Sequence, residues 1–232
     1  SINFIGGEKG GVGKSVVSRA LAQYFIDHDK PFTGYDTDRS HASFRRFYAD
    51  YASRILVDTY EGLDLIVSSF EDDNQPQNEQ KVVVDLAAQT AQPLSRWIND
   101  SDLLTLFSEM DIRVYFWHVT DGCKDSVDLL GRLTDTYGDK ANFIVVRNMG
   151  RGNDFSILDH SEELKVAIDL GARVVTLPHL HEASMRKIDA QNASFWAAIN
   201  HRVGSDALGL LERQRVKAWL RNIYSAFEAI PL

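Results

Sequence analysis

The stretch Gly7–Ser15 reads GEKGGVGKS and lies between two segments of different periodicity. Before it, Ile2–Gly6 is short and apolar, as a buried strand is. After it, Val17, Leu21 and Phe25 recur on one face of a helix expected from Lys14 to about Asp27. A strand, a glycine-rich turn and a helix, in that order, make a cradle for phosphate. Gly10, Gly11 and Gly13 carry no Cβ. The backbone from Glu8 and Lys9 through Val12, Lys14, Ser15 and Val16 can therefore wrap a phosphate and aim its N–H groups at the oxygens. The helix N-terminus adds partial positive charge. Lys14 is spaced to reach β- and γ-phosphates, and the Ser15 hydroxyl to ligate Mg²⁺. The strict pattern G-x-x-x-x-G-K-S/T is broken at its first position. Glu8 stands where glycine is required, and a second lysine, Lys9, follows it.

Working outward, short β-branched or aromatic runs alternate with helical patterns. Strands are expected at Ile2–Gly6, Pro31–Tyr35, Lys81–Val84, Ile112–Val119, Asn142–Val146 and Arg173–Leu177. Helices are expected near Leu94–Phe107, Lys124–Tyr137 and Phe155–Leu170, with a last one over 205–229. The polar segment Glu71–Gln80, with its proline, reads as a loop. This alternation predicts an α/β fold, a doubly wound and mostly parallel sheet with helices on both faces. The length suits one P-loop domain spanning 1–232.

A phosphate cradle needs carboxylates at the ends of neighbouring strands to hold the metal and orient water. The second strand runs into Asp36-Thr37-Asp38-Arg39-Ser40-His41-Ala42-Ser43. The third ends VVVDLAAQ, where Asp85 after three valines is placed to bind Mg²⁺ through water. Ser15, Asp36, Asp38 and Asp85 are thus the candidate metal group. The fifth strand ends at Val146-Arg147-Asn148 and the sixth at Leu177-Pro178-His179.

These motifs, from Gly7 to Pro178, resemble those of the ParA/MinD ATPases, whose deviant phosphate loop carries the early lysine. The resemblance implies that Lys9 reaches across a dimer interface to the partner's nucleotide. It implies that Asp38 orients or activates water and that Asp36 supports the metal from behind. It also implies that the Asn148 amide pairs with adenine and that the loop at Pro178 closes over the base. Two departures stand out: Arg39-Ser40 replaces a Pro-Gln pair, and Ala87-Ala88-Gln89 follows Asp85 where relatives carry prolines. No N-K-x-D guanine motif is present, which favours ATP over GTP. The layout of Thr37–Phe44 and of Leu211–Phe227, with RQRVK opening the last helix, is similar to the plasmid transfer, mobilisation and stability members, the TraL-like and StbC-like proteins. The implied function is a Mg²⁺- and ATP-dependent switch that dimerises when ATP is bound and serves a protein partner in plasmid transfer, partition or stability. Two other readings stay open at this stage. One is a P-loop ligase of the dethiobiotin synthetase sort; the other is a nucleotide-sensing module that does not hydrolyse.

Composition bounds the partners. A net charge of −8 and a pI near 5.3 disfavour bulk attraction to nucleic acid or anionic lipid, so a non-specific DNA contact would need a local basic patch. Cys123 is the only cysteine, which excludes a disulfide framework and the branch of this superfamily whose iron–sulfur cluster takes two cysteines per subunit. His179 and His181 alternate along the chain without an evident third ligand. Arg45 and Arg46 read as a solvated helix face. The apolar runs are strand-length, no signal peptide is visible, and a cytoplasmic location is expected. Val216, Trp219, Leu220, Ile223, Phe227 and Ile230 form one stripe at helical spacing, read as a face packed on the rest of the chain, with no membrane contact expected.

Overall fold

The computed structural model describes residues 1–71, 79–202, 204 and 207–232; most of the loop expected over Glu71–Gln80 lies outside them. Seven strands form one sheet: β1 (Ile2–Gly6), β2 (Phe32–Asp36), β3 (Ala52–Arg54), β4 (Lys81–Asp85), β5 (Val114–Thr120), β6 (Asn142–Asn148) and β7 (Arg173–Leu177). Their order is β3-β2-β4-β1-β5-β6-β7, and every pairing is parallel. The helices are α1 (Lys14–Asp27), α2 (Ser43–Phe47), α3 (Tyr60–Ser68), α4 (Ala91–Asp100), α5 (Leu103–Glu109), α6 (Lys124–Tyr137), α7 (Ser156–Asp159), α8 (Glu162–Asp169), α9 (Glu182–Ala190), α10 (Phe195–Asn200) and α11 (Leu210–Glu228).

Strand period two sorts the core onto two faces. Ile5, Val83, Tyr115, Trp117, Ile144 and Val146 point to the side covered by α1, α2, α10 and α11. Phe4, Val82, Val84, Phe116 and Phe143 point to the side covered by α3, α4 and α5. The central strands are apolar on both faces because helices cover both. The same alternation puts Asp85, two residues beyond Val83, on the α1 side at the carboxyl end of the sheet.

Several boundaries differ from the sequence expectations. Strand β2 starts at Phe32 and runs on to Asp36, β4 runs on to Asp85, β5 begins at Val114 and ends at Thr120, and β6 runs on to Asn148. The expected helix Leu94–Phe107 is two helices, broken where Asp102 takes φ 47°. Phe155–Leu170 divides at Ser161, whose hydroxyl accepts the Leu164 N–H and starts α8 afresh. The last helix is shorter than 205–229, since 207–209 are not helical. It begins at Leu210, where the Glu212 carboxylate accepts the Gly209 N–H at 2.7 Å. Strand β3 and helices α3, α9 and α10 had no expectation. They are short, three to nine residues, and offer little periodicity to read.

The C-terminal helix docks on its own chain through the expected stripe. Val216, Trp219, Leu220, Ile223 and Phe227 are buried, as is Ile230 beyond it. The Phe227 ring meets Trp117 edge-on at 5.4 Å, and Trp219 Nε1 donates to the Pro178 carbonyl at 2.6 Å. The helix thereby holds the loop that follows β7. Truncating a fully packed aromatic leaves a cavity that the neighbours fill only in part. Phe227→Ala is therefore expected to lower folding stability by about 3–5 kcal/mol, read as a fall in the urea midpoint; an unchanged midpoint would contradict this account of the docking.

Candidate functional site

The loop between β1 and α1 turns on two glycines at positive φ whose Cβ atoms would meet neighbouring atoms. Gly7 has φ +120°, and a Cβ there would lie 2.8 Å from the Val119 carbonyl oxygen. Gly13 has φ +98°, and its Cβ would lie 2.2 Å from Asn148 Nδ2. Lys14 folds back over the loop and donates from Nζ to the carbonyls of Gly7 at 2.8 Å and Lys9 at 3.0 Å. Burial lowers its pKa, against the pull of the Asp85, Glu8 and Asp38 charges. The loop is therefore closed on its own ammonium group.

Gly10, Gly11, Gly13, Lys14, Ser15 and Val16 line a cleft of ≈ 350 Å³ together with Asp38, Asp85, Ala87 and Ala88. The parallel register pairs Asp36 with Asp85 at the ends of β2 and β4. Asp85 is buried and accepts a hydrogen bond from Ser18 Oγ at 2.9 Å. Burial pushes its pKa up to about 7, with the Asp36 charge adding to the rise. Asp36 is committed to the backbone: it accepts the N–H groups of Asp38 (2.9 Å), Phe44 (2.8 Å) and Arg45 (2.9 Å), fixing the loop and the start of α2. Asp38 accepts from the N–H groups of Ser40 (2.8 Å) and His41 (3.1 Å) and stays half-exposed at the cleft. Burial draws its pKa up, but these bonds leave it lowered overall. Among the described residues, no three His, Cys, Asp or Glu side chains form a metal-holding group.

Glu8, Lys9, Asn148 and Pro178 are tied to the protein. Glu8 accepts the Ala91 N–H at 2.7 Å and so caps α4, linking the phosphate loop to the helix after Asp85. The replacement of the first glycine thus has a physical use. Lys9 Nζ pairs with Asp121 Oδ2 at 2.6 Å and lies 2.8 Å from Cys123 Sγ, in the turn after β5. The hydrogen bond to Asp121 raises the lysine's pKa above its ordinary value. The Asn148 amide donates to the Val12 carbonyl at 2.7 Å and accepts from Gly150 N–H at 2.9 Å, bracing the loop from below. Pro178 meets α11, as described above.

Three residues were not anticipated. Thr37 Oγ1 donates to the Asp85 carbonyl at 3.0 Å and accepts the Ala87 N–H at 2.8 Å, joining the loops after β2 and β4. Asp121 holds Lys9. Arg19, buried on α1, lines the cleft with its guanidinium 3.5 Å over the Phe47 ring and Nη1 2.9 Å from Asp189. A threonine between two aspartates was a visible signal for Thr37. Arg19 had none, since an arginine on a helix ordinarily faces water.

The closed phosphate loop, the paired aspartates and the parallel sheet define a ParA/MinD-like P-loop fold. Among solved structures, the MinD cell division protein of Aquifex aeolicus aligns with a TM-score of 0.55 at 14% identity, over 100% of this chain and 99% of that one. A putative plasmid partition protein of Borrelia burgdorferi B31, bound to AMPPNP, aligns with a TM-score of 0.52 at 15% identity, over 99% and 98%. In sequence, the chain is similar to TraL of Escherichia coli, 24% identical over 239 residues (95% of this chain and 94% of TraL). It is similar also to MobD of Acidithiobacillus ferrooxidans, 25% identical over 232 residues (99% and 97%). No family model matches the chain. Among the described residues, no helix is long and apolar enough to cross a membrane.

The raised pKa of Asp85 has a thermodynamic consequence. A folded-state pKa of about 7 against the ordinary 3.8 means that ionisation costs stability as pH rises between those values. Asp85→Asn keeps an acceptor for Ser18 and removes that cost. The nucleotide-free variant is expected to be more stable than wild type by about 2–4 kcal/mol at pH 8. The difference should shrink below pH 7 and vanish near pH 4 in thermal melts; a difference independent of pH would show that Asp85 is not the group responsible.

Proposed function

We propose that this chain is a Mg²⁺-dependent ATPase acting as a dimerising switch, serving plasmid transfer or partition. The observation that carries this is the cleft in which Lys14, Ser15, Asp38 and Asp85 converge while Lys9 lies outside it. Backbone N–H groups of residues 8–16 and the Lys14 ammonium would hold the β- and γ-phosphates. Ser15 and Asp85, which line the same cleft, are the pair that would hold Mg²⁺. One or two protein oxygens with phosphates and waters suffice for that ion. The metal would neutralise charge shared by the β- and γ-phosphates. Asp36 would support the metal indirectly, by holding the backbone between β2 and α2 in place. Asp38, at the solvent edge of the cleft, is the group to orient or deprotonate the attacking water.

Lys9 has no role in this chemistry within one subunit, where it is held by Asp121. Across a two-fold interface it would exchange that partner for the other subunit's phosphates. A cation supplied in trans accelerates phosphoryl transfer by on the order of 10³–10⁵. Adenine recognition by Asn148 would require its amide to leave the Val12 carbonyl, and the loop at Pro178 would cover the base. The Borrelia protein's bound AMPPNP supports the nucleotide class, and the similarity to TraL and MobD supports the plasmid setting.

Lys14→Ala should abolish binding of a fluorescent ATP analogue; near-wild-type affinity would remove the P-loop from the mechanism. Lys9→Ala should bind ATP yet neither dimerise nor release phosphate, whereas Asp38→Ala should accumulate an ATP-bound dimer. Light scattering with ATP and Mg²⁺, alongside a phosphate-release assay, reads both. A Lys9→Ala protein that dimerises and hydrolyses like wild type would refute the trans role.

A further inference from the structure

On the opposite face of the sheet from the phosphate cleft, α4 and α6 stand apart and leave a cavity of ≈ 530 Å³ between them. The gap has a structural cause. Trp97 Nε1 donates to Asp64 at 2.8 Å and draws α4 towards α3. Val127 and Leu130 of α6 pack instead with Leu158 of α7 and Leu164 of α8. Neither helix covers the strip of β1 and β5 between them. The floor of the cavity is apolar and aromatic, formed by Phe4, Phe116 and Leu133. At its mouth stand Arg96 of α4 and Arg132 of α6, both exposed. Among the described residues, neither guanidinium makes an ion pair or hydrogen bond. Of the two carboxylates that line the cavity, Asp100 is engaged by the Tyr60 hydroxyl at 2.5 Å and Glu8 by the Ala91 N–H at 2.7 Å.

An apolar chamber of this size falls within the roughly 300–1,000 Å³ of small-molecule sites, which take an apolar body and fix it with a few polar groups. Two exposed guanidinium groups at the mouth, unpaired among the described residues, favour an anion, because planar donors match a carboxylate or sulfonate in pairs. We propose that the cavity between α4 and α6 binds a small organic acid with an aromatic or aliphatic body, its acid group held by Arg96 and Arg132. The body lies on Phe4 and Phe116, and the acid group remains at the solvent edge. The upper wall includes Gly7, Glu8, Leu86 and Ala87. The bound acid therefore lies behind the two loops whose front faces form the phosphate cleft.

The test uses the full chain without nucleotide, so its result does not depend on the function proposed for the phosphate loop. Two dyes are titrated by fluorescence: 8-anilinonaphthalene-1-sulfonate, and N-phenyl-1-naphthylamine, which lacks the sulfonate. The expected result is one saturable site binding the sulfonate about tenfold tighter, the scale of a charge-assisted hydrogen bond. Decanoate should displace it. Replacing both Arg96 and Arg132 with alanine, exposed positions that leave the core intact, should bring the two dyes to equal affinity. Leu133→Trp, which fills the chamber, should weaken both dyes at least tenfold with circular dichroism unchanged. The proposal is overturned if the wild type binds no dye, or binds both equally. It is overturned equally if the double arginine variant holds the sulfonate as tightly as wild type does.

Discussion

Two carboxylates lie side by side at the ends of adjacent parallel strands, Asp36 on β2 in register with Asp85 on β4, and the rest of the site is arranged around that juxtaposition. Buried like charges at such spacing repel, and each loses its hydration. The protein resolves this asymmetrically. Asp36 receives three backbone N–H groups, which offset part of the cost of its burial and shape the loop leading to α2. Asp85 receives the Ser18 hydroxyl of α1, and burial pushes its pKa up to about 7. One carboxylate is thereby tied into the backbone, and the other is left buried with a raised pKa.

The phosphate loop is bound into the same arrangement by contacts on every side. Lys14 spans its interior, Asn148 braces the Val12 carbonyl from β6, and Glu8 reaches out to the first turn of α4. Thr37 bridges the backbones after β2 and β4. A phosphate bound in the loop would compete for Lys14 and so disturb a set of contacts that extends to α2 and α4. That is a physical route by which nucleotide state could reach the surface. Arg19 extends the linkage, stacked on Phe47 of α2 and paired with Asp189 of α9. Lys9 belongs to a separate pairing with Asp121, in the turn after β5.

Much of this was legible beforehand because its signals are local. Strand, glycine turn and helix are adjacent in the chain, and Asp36 and Asp85 each follow a short run read as a strand, with Asp38 two residues on. The stripe Val216–Phe227 announced a packed helix through its period alone. What was not legible had weak or absent local signals. The three-residue strand β3 gains its pairing from β2, and Ser161 starts a new helix inside a stretch read as one. The expectation for Asn148 came from resemblance, and the position of its side chain depends on Gly13, 135 residues earlier in the chain.

By itself the amino-acid sequence determined the doubly wound parallel fold, the phosphate loop and the carboxylates facing it. Hydrophobic periodicity and glycine's backbone freedom act over a few residues and are written wherever those residues stand. Only the tertiary structure decided which partner each charged or polar side chain takes: Glu8 on α4, Lys9 on Asp121, Asn148 on Val12, Arg19 between Phe47 and Asp189. It alone left α4 and α6 apart with two exposed arginines at the gap. Such pairings are settled by distances between elements remote in sequence, and those distances exist only once the sheet has set the helices in place.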